Sequence, residues 1–384
     1  AALGDAGTDN TWTITGPDAG TLDQGTGPLQ AFAGLEGLQG DGDNDTFVFD
    51  GAGRMSGIVD GGDGVDLLNF SASAEIVNLN LISATVGTAT NVGAPAAVQL
   101  FNNMESALGN GGELTAAYND VGLVWTIGTD LGNTNVDAFA FDDFSILTSG
   151  MGADTIEVAP DNNDILAVNA GDGDDLFIVR GNLEQAGAVL DGQRGNDVFQ
   201  VSAEVVLDQL VGGAGNDDRL AALSDTSNTN TWLITGLNEG SLQQGDASTA
   251  QNFSGFEGLN GNAATDIFRF AEDGRMTGGI DGGDGIDALD YSGRTSAINV
   301  VLDSPASGTA TGIGITFSSI ERLTGSVYNP TTNNRDTIRS LADTNNWEFN
   351  ESPGFSTVNG FTFEGIEAAI GSTGSDTASI FGKP

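Results

Sequence analysis

The sequence predicts an all-β fold, a parallel β-helix or β-solenoid with coils of about 21 residues. Three observations predict it. A Gly-Gly-x-Gly-x-Asp-x-Leu-x turn recurs along the chain, its aspartates return at a step of about 21 residues, and most copies run into a short β-branched or aromatic stretch.

The turn is complete at Gly61–Asn69 and Gly282–Asp290. Near matches lie at Ser149–Glu157, Ala170–Ile178, Gly192–Gln200, Gly212–Leu220 and Gly371–Ser379, and weaker forms at Gly40–Val48 and Gly261–Arg269. The sixth-position residues Asp154, Asp175, Asp197 and Asp217 follow that step, and the same step leads from Asp45 to Asp66 and from Asp266 to Asp287. Glycine supplies positive φ and close backbone approach in such a turn. The stretches that follow, Thr46-Phe47-Val48-Phe49, Thr155-Ile156-Glu157-Val158, Leu176-Phe177-Ile178-Val179 and Val198-Phe199-Gln200-Val201, have strand propensity. A lone strand cannot bury its apolar face. Stacked about 4.8 Å apart, successive coils give each strand parallel neighbours and build a continuous inner stripe. Ile76–Leu81 and Ile298–Leu302 read as further coil strands, 222–230 and 326–335 as loops, and no long helix is expected.

A longer period is superposed. Asn10-Thr11-Trp12-Thr13-Ile14-Thr15-Gly16 returns about 220 residues later as Asn230-Thr231-Trp232-Leu233-Ile234-Thr235-Gly236, and Gly53–Gly57 returns as Gly274–Gly278. The four tryptophans, Trp12, Trp125, Trp232 and Trp347, recur at about half that period and read as core anchors. A Phe-x-x-apolar-Glu element ends at Glu36, Glu105, Glu257, Glu321 and Glu367; after Trp125 its counterpart, Phe141–Ser145, has lost the glutamate. The expected organisation is tandem units of about 110 residues, paired into longer units of about 220 residues. They run 1–119, 120–228 with the regular Asp turns, 229–340 repeating the first, and 341–384 opening a fourth.

Composition narrows the function. With 54 acidic against 11 basic residues the net charge is −43. Such a surface repels nucleic acid and anionic lipid and attracts cations. No run of apolar residues is long enough to span a membrane, so no direct membrane insertion is expected. Cys and His are absent, which removes disulfides, Ser-His-Asp and Cys-His catalysis, and His-ligated zinc. Carboxylate pairs abound by composition alone and do not identify a glycosidase. Arg54 and Arg275 occupy equivalent repeat positions, which points to a structural role, an ion pair with a nearby Asp. The chain opens Ala1-Ala2-Leu3 without Met or signal peptide and reads as a mature form or an excised fragment.

At Gly61–Asn69, Gly282–Asp290 and Gly212–Leu220 the sequence resembles the repeats-in-toxin nonapeptide family of secreted bacterial proteins. That resemblance implies calcium held by the sixth-position Asp and turn carbonyls. It covers about a fifth of the chain. Family repeats run in tandem every nine residues, whereas here a turn comes only once per coil, which points to a wider β-helix than a β-roll. The larger unit also resembles segments of filamentous-haemagglutinin-like and adhesin-like exoproteins, which implies an extracellular, cell-surface role.

Two readings of the aspartates follow. Calcium takes six to eight oxygens from carboxylates and carbonyls, and stacked turns offer both. Asp154, Asp175, Asp197 and Asp217 would form one column, with Asp45–Asp66 and Asp266–Asp287 as further pairs. Alternatively, each Asp holds its own turn through backbone N–H groups. The expected function is a non-enzymatic structural or adhesive segment of a secreted bacterial surface protein. It would contact further copies of itself or neighbouring repeats end to end, and surface glycans or biofilm matrix. The alternatives are a self-assembling filament or surface-layer subunit, and a polysaccharide-acting β-helix enzyme or its calcium-binding module.

Overall fold

The computed structural model describes residues 8–91, 99–118, 122–131, 133–159, 165–181, 183, 186–203, 205, 207–223, 229–246, 249–350 and 355–381. The fold is all-β, with no helix among the described residues. The chain falls into two compact units, Ala1–Arg194 and Gly195–Pro384, whose boundary lies within the segment expected at 120–228.

Strands expected from the turn spacing form where the sequence places them, at Thr46–Phe49, Thr155–Val158, Leu176–Val179 and Val198–Val201. Each alternates half-buried and buried residues, so one face turns to the core. Thr46–Phe49 pairs in parallel with Leu67–Asn69, Thr155–Val158 with Leu176–Val179, and Val198–Val201 with Arg219–Ala222. In all three the paired residues are one turn motif apart (Thr46↔Leu67, Thr155↔Leu176, Val198↔Arg219). The intervening chain supplies a second column of parallel strands. Phe139–Thr148 pairs there with Ala167–Asn169, which pairs with Val189–Asp191. The architecture within each unit is thus β-solenoid-like.

Antiparallel meanders interrupt both columns. Three-stranded meanders open at Thr11, Val77, Val124, Asn230, Asn299 and Asn346. The first strand of each pairs in parallel with the coil that follows; the third strand, where a coil precedes it, pairs in parallel with that coil. At Asn230–Gly236 the neighbours are Asp266–Phe270 and, through Gln251–Ser254, Gln209–Val211. The strands expected at Ile76–Leu81 and Ile298–Leu302 are therefore opening strands of two meanders that lack tryptophan. Residues 326–335 carry no strand, as expected; of the loop expected at 222–230, residues 224–228 lie outside the described residues.

The four tryptophans each sit on the first strand of a meander, at most 4% exposed. Coil-to-coil spacing brings like rings together. Trp12 stacks on Phe47, Phe49 on Phe70, Trp232 on Phe268 and Phe270 on Tyr291. Each buried Phe in such a stripe contributes roughly 1.5–3 kcal/mol.

The motif glycines are explained by the stacking. Gly62, Gly171 and Gly283 have φ near +100°, and a Cβ on any of them would lie 2.1–2.3 Å from the carbonyl oxygen of Asp41, Gly150 or Asn262, one coil away. Gly285 has φ +130°, and its Cβ would meet Ala264 O at 2.1 Å. Gly285→Ala is accordingly expected to cost about 2–4 kcal/mol, through unfavourable φ and the forced separation of two turns. Urea unfolding measures it; an unchanged midpoint would contradict the direct superposition of these turns.

Candidate functional site

The aspartate at the end of each turn points inward at the foot of the following strand. Asp45, Asp66, Asp154, Asp175, Asp197, Asp218, Asp266, Asp287 and Asp336 are all at most 2% exposed. Asp45 and Asp336 each accept backbone N–H groups from two coils. Within its own turn, Asp45 Oδ2 accepts from Asp41 N–H at 2.9 Å and Asp266 Oδ2 from Asn262 N–H at 3.1 Å. From the preceding coil, Oδ1 accepts the N–H of the aspartate there. Asp45 N–H donates to Asp66 (2.7 Å), Asp154 to Asp175 (2.7 Å), Asp197 to Asp218 (2.8 Å) and Asp266 to Asp287 (2.7 Å). The carboxylates are rungs of a ladder.

The rungs begin and end on the meanders. At four of the six meanders of the described residues, the residue entering donates to the first rung: Asn10 N–H to Asp45, Leu123 to Asp154, Ile298 to Asp336 and Asn345 to Asp376. After the third meander strand, the glutamate of Phe-x-x-apolar-Glu closes the run. Glu105 accepts from Asp66 N–H, Glu257 from Asp218, Glu321 from Asp287 and Glu367 from Asp336, at 2.8–2.9 Å. The longer glutamate reaches across the junction where an Asp would fall short. Two of the tryptophans feed the same ladder. Trp232 Nε1 donates to Asp266 Oδ1 at 2.8 Å, whereas Trp125 Nε1 donates to Ser149 Oγ, which in turn donates to Asp154.

Seven of the eight aspartates expected to form the site are rungs. In the Gly212 turn the rung is Asp218. Asp217 lies on the surface beside Arg219, its Oδ1 2.9 Å from the guanidinium. This turn is one residue longer than its relatives, so the motif's sixth position stops one residue short of the strand. Asp175 accepts the Asp154 N–H, and Asp218 accepts that of Asp197. Arg54 and Arg275 do not make the ion pairs expected of them. The ion pairs of the described residues are Arg180–Glu157, Arg194–Asp172, Arg219–Asp217 and Arg269–Asp290. Arg54 and Arg275 act through their backbones, each carbonyl accepting an N–H at 2.9 Å, from Asp18 and Asn238.

The electrostatics single out three of the rungs that precede a glutamate. Asp66, Asp218 and Asp287 are fully buried, and the Oδ2 atom of each has no hydrogen-bond partner. Burial pushes Asp66 and Asp287 up to about 7 and Asp218 up to about 6, against the opposing pull of the backbone N–H bond. The facing Glu105, Glu257 and Glu321 add like-charge repulsion. Asp45, Asp154 and Asp266 are also raised, again mainly by burial.

A cation has chemistry to meet here, since a buried carboxylate oxygen without a donor demands a proton or a positive charge. Among the described residues no three acidic side chains converge on one point, so an ion would complete its shell from carbonyls and water. Neither a protein-family model nor a characterised protein sequence matches the chain.

Proposed function

We propose that the chain is a β-solenoid with coils of about 21 residues, arranged in tandem units of about 220 residues. It serves as a non-enzymatic structural and adhesive segment of a secreted bacterial surface protein. The observation that carries this reading is the ladder. Its buried acids recur coil after coil and bond backbone N–H groups, which is how a repetitive scaffold uses its carboxylates and not how a single reaction centre is built. The −43 charge and the resemblance of the Gly/Asp turns to secreted repeat proteins support the extracellular assignment. Incubation with acidic and neutral polysaccharides should release no new reducing ends; their appearance would overturn the non-enzymatic reading.

Calcium belongs to the same proposal. Asp66 with Glu105, Asp218 with Glu257 and Asp287 with Glu321 would hold it, together with turn carbonyls, and the ion would neutralise charge that the interior otherwise leaves uncompensated. Above neutral pH, millimolar calcium is expected to raise the melting temperature by roughly 5–10 °C over the same protein in chelator. Below about pH 5 the difference should shrink as protons take the ion's place. Equal melts with calcium and chelator above neutral pH would reject the metal.

A further inference from the structure

The turn that leads into a rung keeps nearly one length along this chain. Six residues run from Gly61 to Asp66 and from Gly282 to Asp287, and seven from Gly212 to Asp218. One turn departs from this. Twelve residues run from Gly325 to Asp336, six more than the ordinary turn. Its two ends are nevertheless those of an ordinary turn. A Cβ on Gly325 would lie 2.1 Å from Gly365 O and 2.7 Å from Asp336 Oδ2, just as one on Gly282 would lie 2.0 Å from Ser319 O and 2.6 Å from Asp287 Oδ2. Ser326 N–H donates to Asp336 Oδ2 at 2.5 Å, the bond that Asp41 N–H makes to Asp45 Oδ2. The rung is intact, since Asp336 accepts Ile298 N–H at 2.8 Å. Residues 327–335 therefore carry an insertion that the stacking of coils does not need.

Insertions into a repeat scaffold map to loops that the scaffold holds at both ends, and such loops serve binding. This one is also held along its length. Val327 N–H donates to Arg294 O at 2.9 Å, Asn329 N–H to Asn334 Oδ1 at 2.6 Å and Asn333 N–H to Asn329 O at 2.9 Å. Asn334 Nδ2 donates to Thr295 O at 2.5 Å and to Val327 O at 3.0 Å. The backbone on either side of Tyr328 is thus fixed, while the side chains meet water. Tyr328 is 40% exposed, and Pro330, Thr331, Thr332, Asn333 and Arg335 are exposed as well. A loop ordered in advance loses little further entropy when it binds.

The chemistry of the loop narrows its ligand. Residues 326–335 contain one charged group, Arg335, which belongs to none of the ion pairs of the described residues. A polyanion is repelled by the net charge of −43. A protein partner needs an apolar centre built from several large side chains, over about 800 Å² a side; this loop offers one ring. An uncharged sugar needs what is present: an aromatic face for its C–H groups, and hydroxyl, amide and guanidinium groups to exchange hydrogen bonds with its hydroxyls. We infer that residues 327–335 form a binding site for an uncharged glycan. The Tyr328 ring stacks on a pyranose, and Arg335 and Thr331 bond its hydroxyls. The inference rests on the adhesive reading above and gives it a ligand and a place.

Native affinity electrophoresis tests it, in gels that contain dextran, mannan, laminarin or xyloglucan, with alginate as the charged counterpart. At least one uncharged polymer is expected to retard the wild type, and alginate to leave it unretarded. Tyr328→Ala should weaken the retarding interaction by about tenfold or more, and Arg335→Gln by about threefold or more, each with an unchanged melting temperature. Replacing residues 326–335 by Gly-Asp-Gly-Ile, the four residues that lie between Gly282 and Asp287, should abolish retardation. A wild type that no uncharged polymer retards would overturn the inference, as would a preference for alginate. Retardation that survives both Tyr328→Ala and the shortened turn would overturn it too, and would leave an adhesive chain whose site lies elsewhere. The non-enzymatic reading is decided separately, by the reducing-end assay.

Discussion

In chelator, the melting temperature of the wild type is expected to fall by roughly 10 °C between about pH 4 and about pH 8. Ordinary proteins gain stability over much of that range, because their paired carboxylates ionise more easily folded than unfolded. Here the direction reverses. Asp66 and Asp287 titrate near 7 and Asp218 near 6 in the folded state, against 3.8 for an ordinary aspartate, because burial penalises their charge. The folded chain therefore keeps protons that the unfolded chain has released. The stability these groups contribute is complete below the unfolded value and is lost as pH rises through 6 to 7, on the order of several kcal/mol in all. General self-repulsion among 54 acidic residues runs the same way, so a local probe is needed. Asp287→Asn keeps an acceptor for Asp266 N–H and removes the charge. It should melt above the wild type at about pH 8 and no higher at about pH 4. A flat wild-type profile, or an Asn variant less stable than wild type at the alkaline end, would show that the rung carries its charge without cost.

Asp266→Ala should destabilise the chain by about 3–5 kcal/mol at a pH where the rung is not compensated by solvent. The carboxylate gathers donors from three directions: Trp232 Nε1 at 2.8 Å, Asn230 Nδ2 at 3.0 Å and Asn262 N–H at 3.1 Å. All are buried, and truncation strands the indole and the Asn262 N–H, while Asn230 Nδ2 keeps its bond to Asn262 Oδ1 at 3.2 Å. Asp266→Asn should cost markedly less, since its amide oxygen can still accept. The indole bond separates the rung from simple packing. Trp232→Phe alone loses that bond and some volume. In a double-mutant cycle with Asp266→Ala the two losses should overlap by about 1 kcal/mol or more. Strict additivity would mean that the indole nitrogen and the rung do not cooperate. Urea unfolding of the four proteins supplies the numbers.

The rungs were legible in the sequence to the extent that their turns kept one length. Where six residues span the glycine and the aspartate, as at Gly61–Asp66 and Gly282–Asp287, the spacing alone finds the buried acid. The Gly212 turn has one residue more, and counting from its glycine lands on the solvated Asp217. Counting back from the strand succeeds, because the rung is the residue immediately before it, as in Asp45-Thr46, Asp154-Thr155 and Asp218-Arg219. The same rule finds Asp336-Thr337, which has no Gly-rich turn before it and which motif spacing missed. The glutamates were visible as a repeated element, but their task was not. A Glu at a coil edge looks like surface charge until the meander beside it is seen to displace the next Asp. The meanders were hidden for a similar reason: their middle strands, Thr-, Ser- and Gly-rich, carry the composition of a loop, and only pairing on both sides makes them sheet.

Each rung has a sense. The donor always belongs to the earlier residue and the acceptor to the later one, whether the acceptor is an aspartate or the glutamate that closes a run. A polypeptide emerging N-terminus first would therefore offer an amide template before the matching acid appears, and each new turn would find its mould already set. Zippering in that order never strands a naked carboxylate in the growing interior. Whole turns can also be spliced in or out at any point without reversing a single bond, which gives such a chain a ready route to change its length over generations.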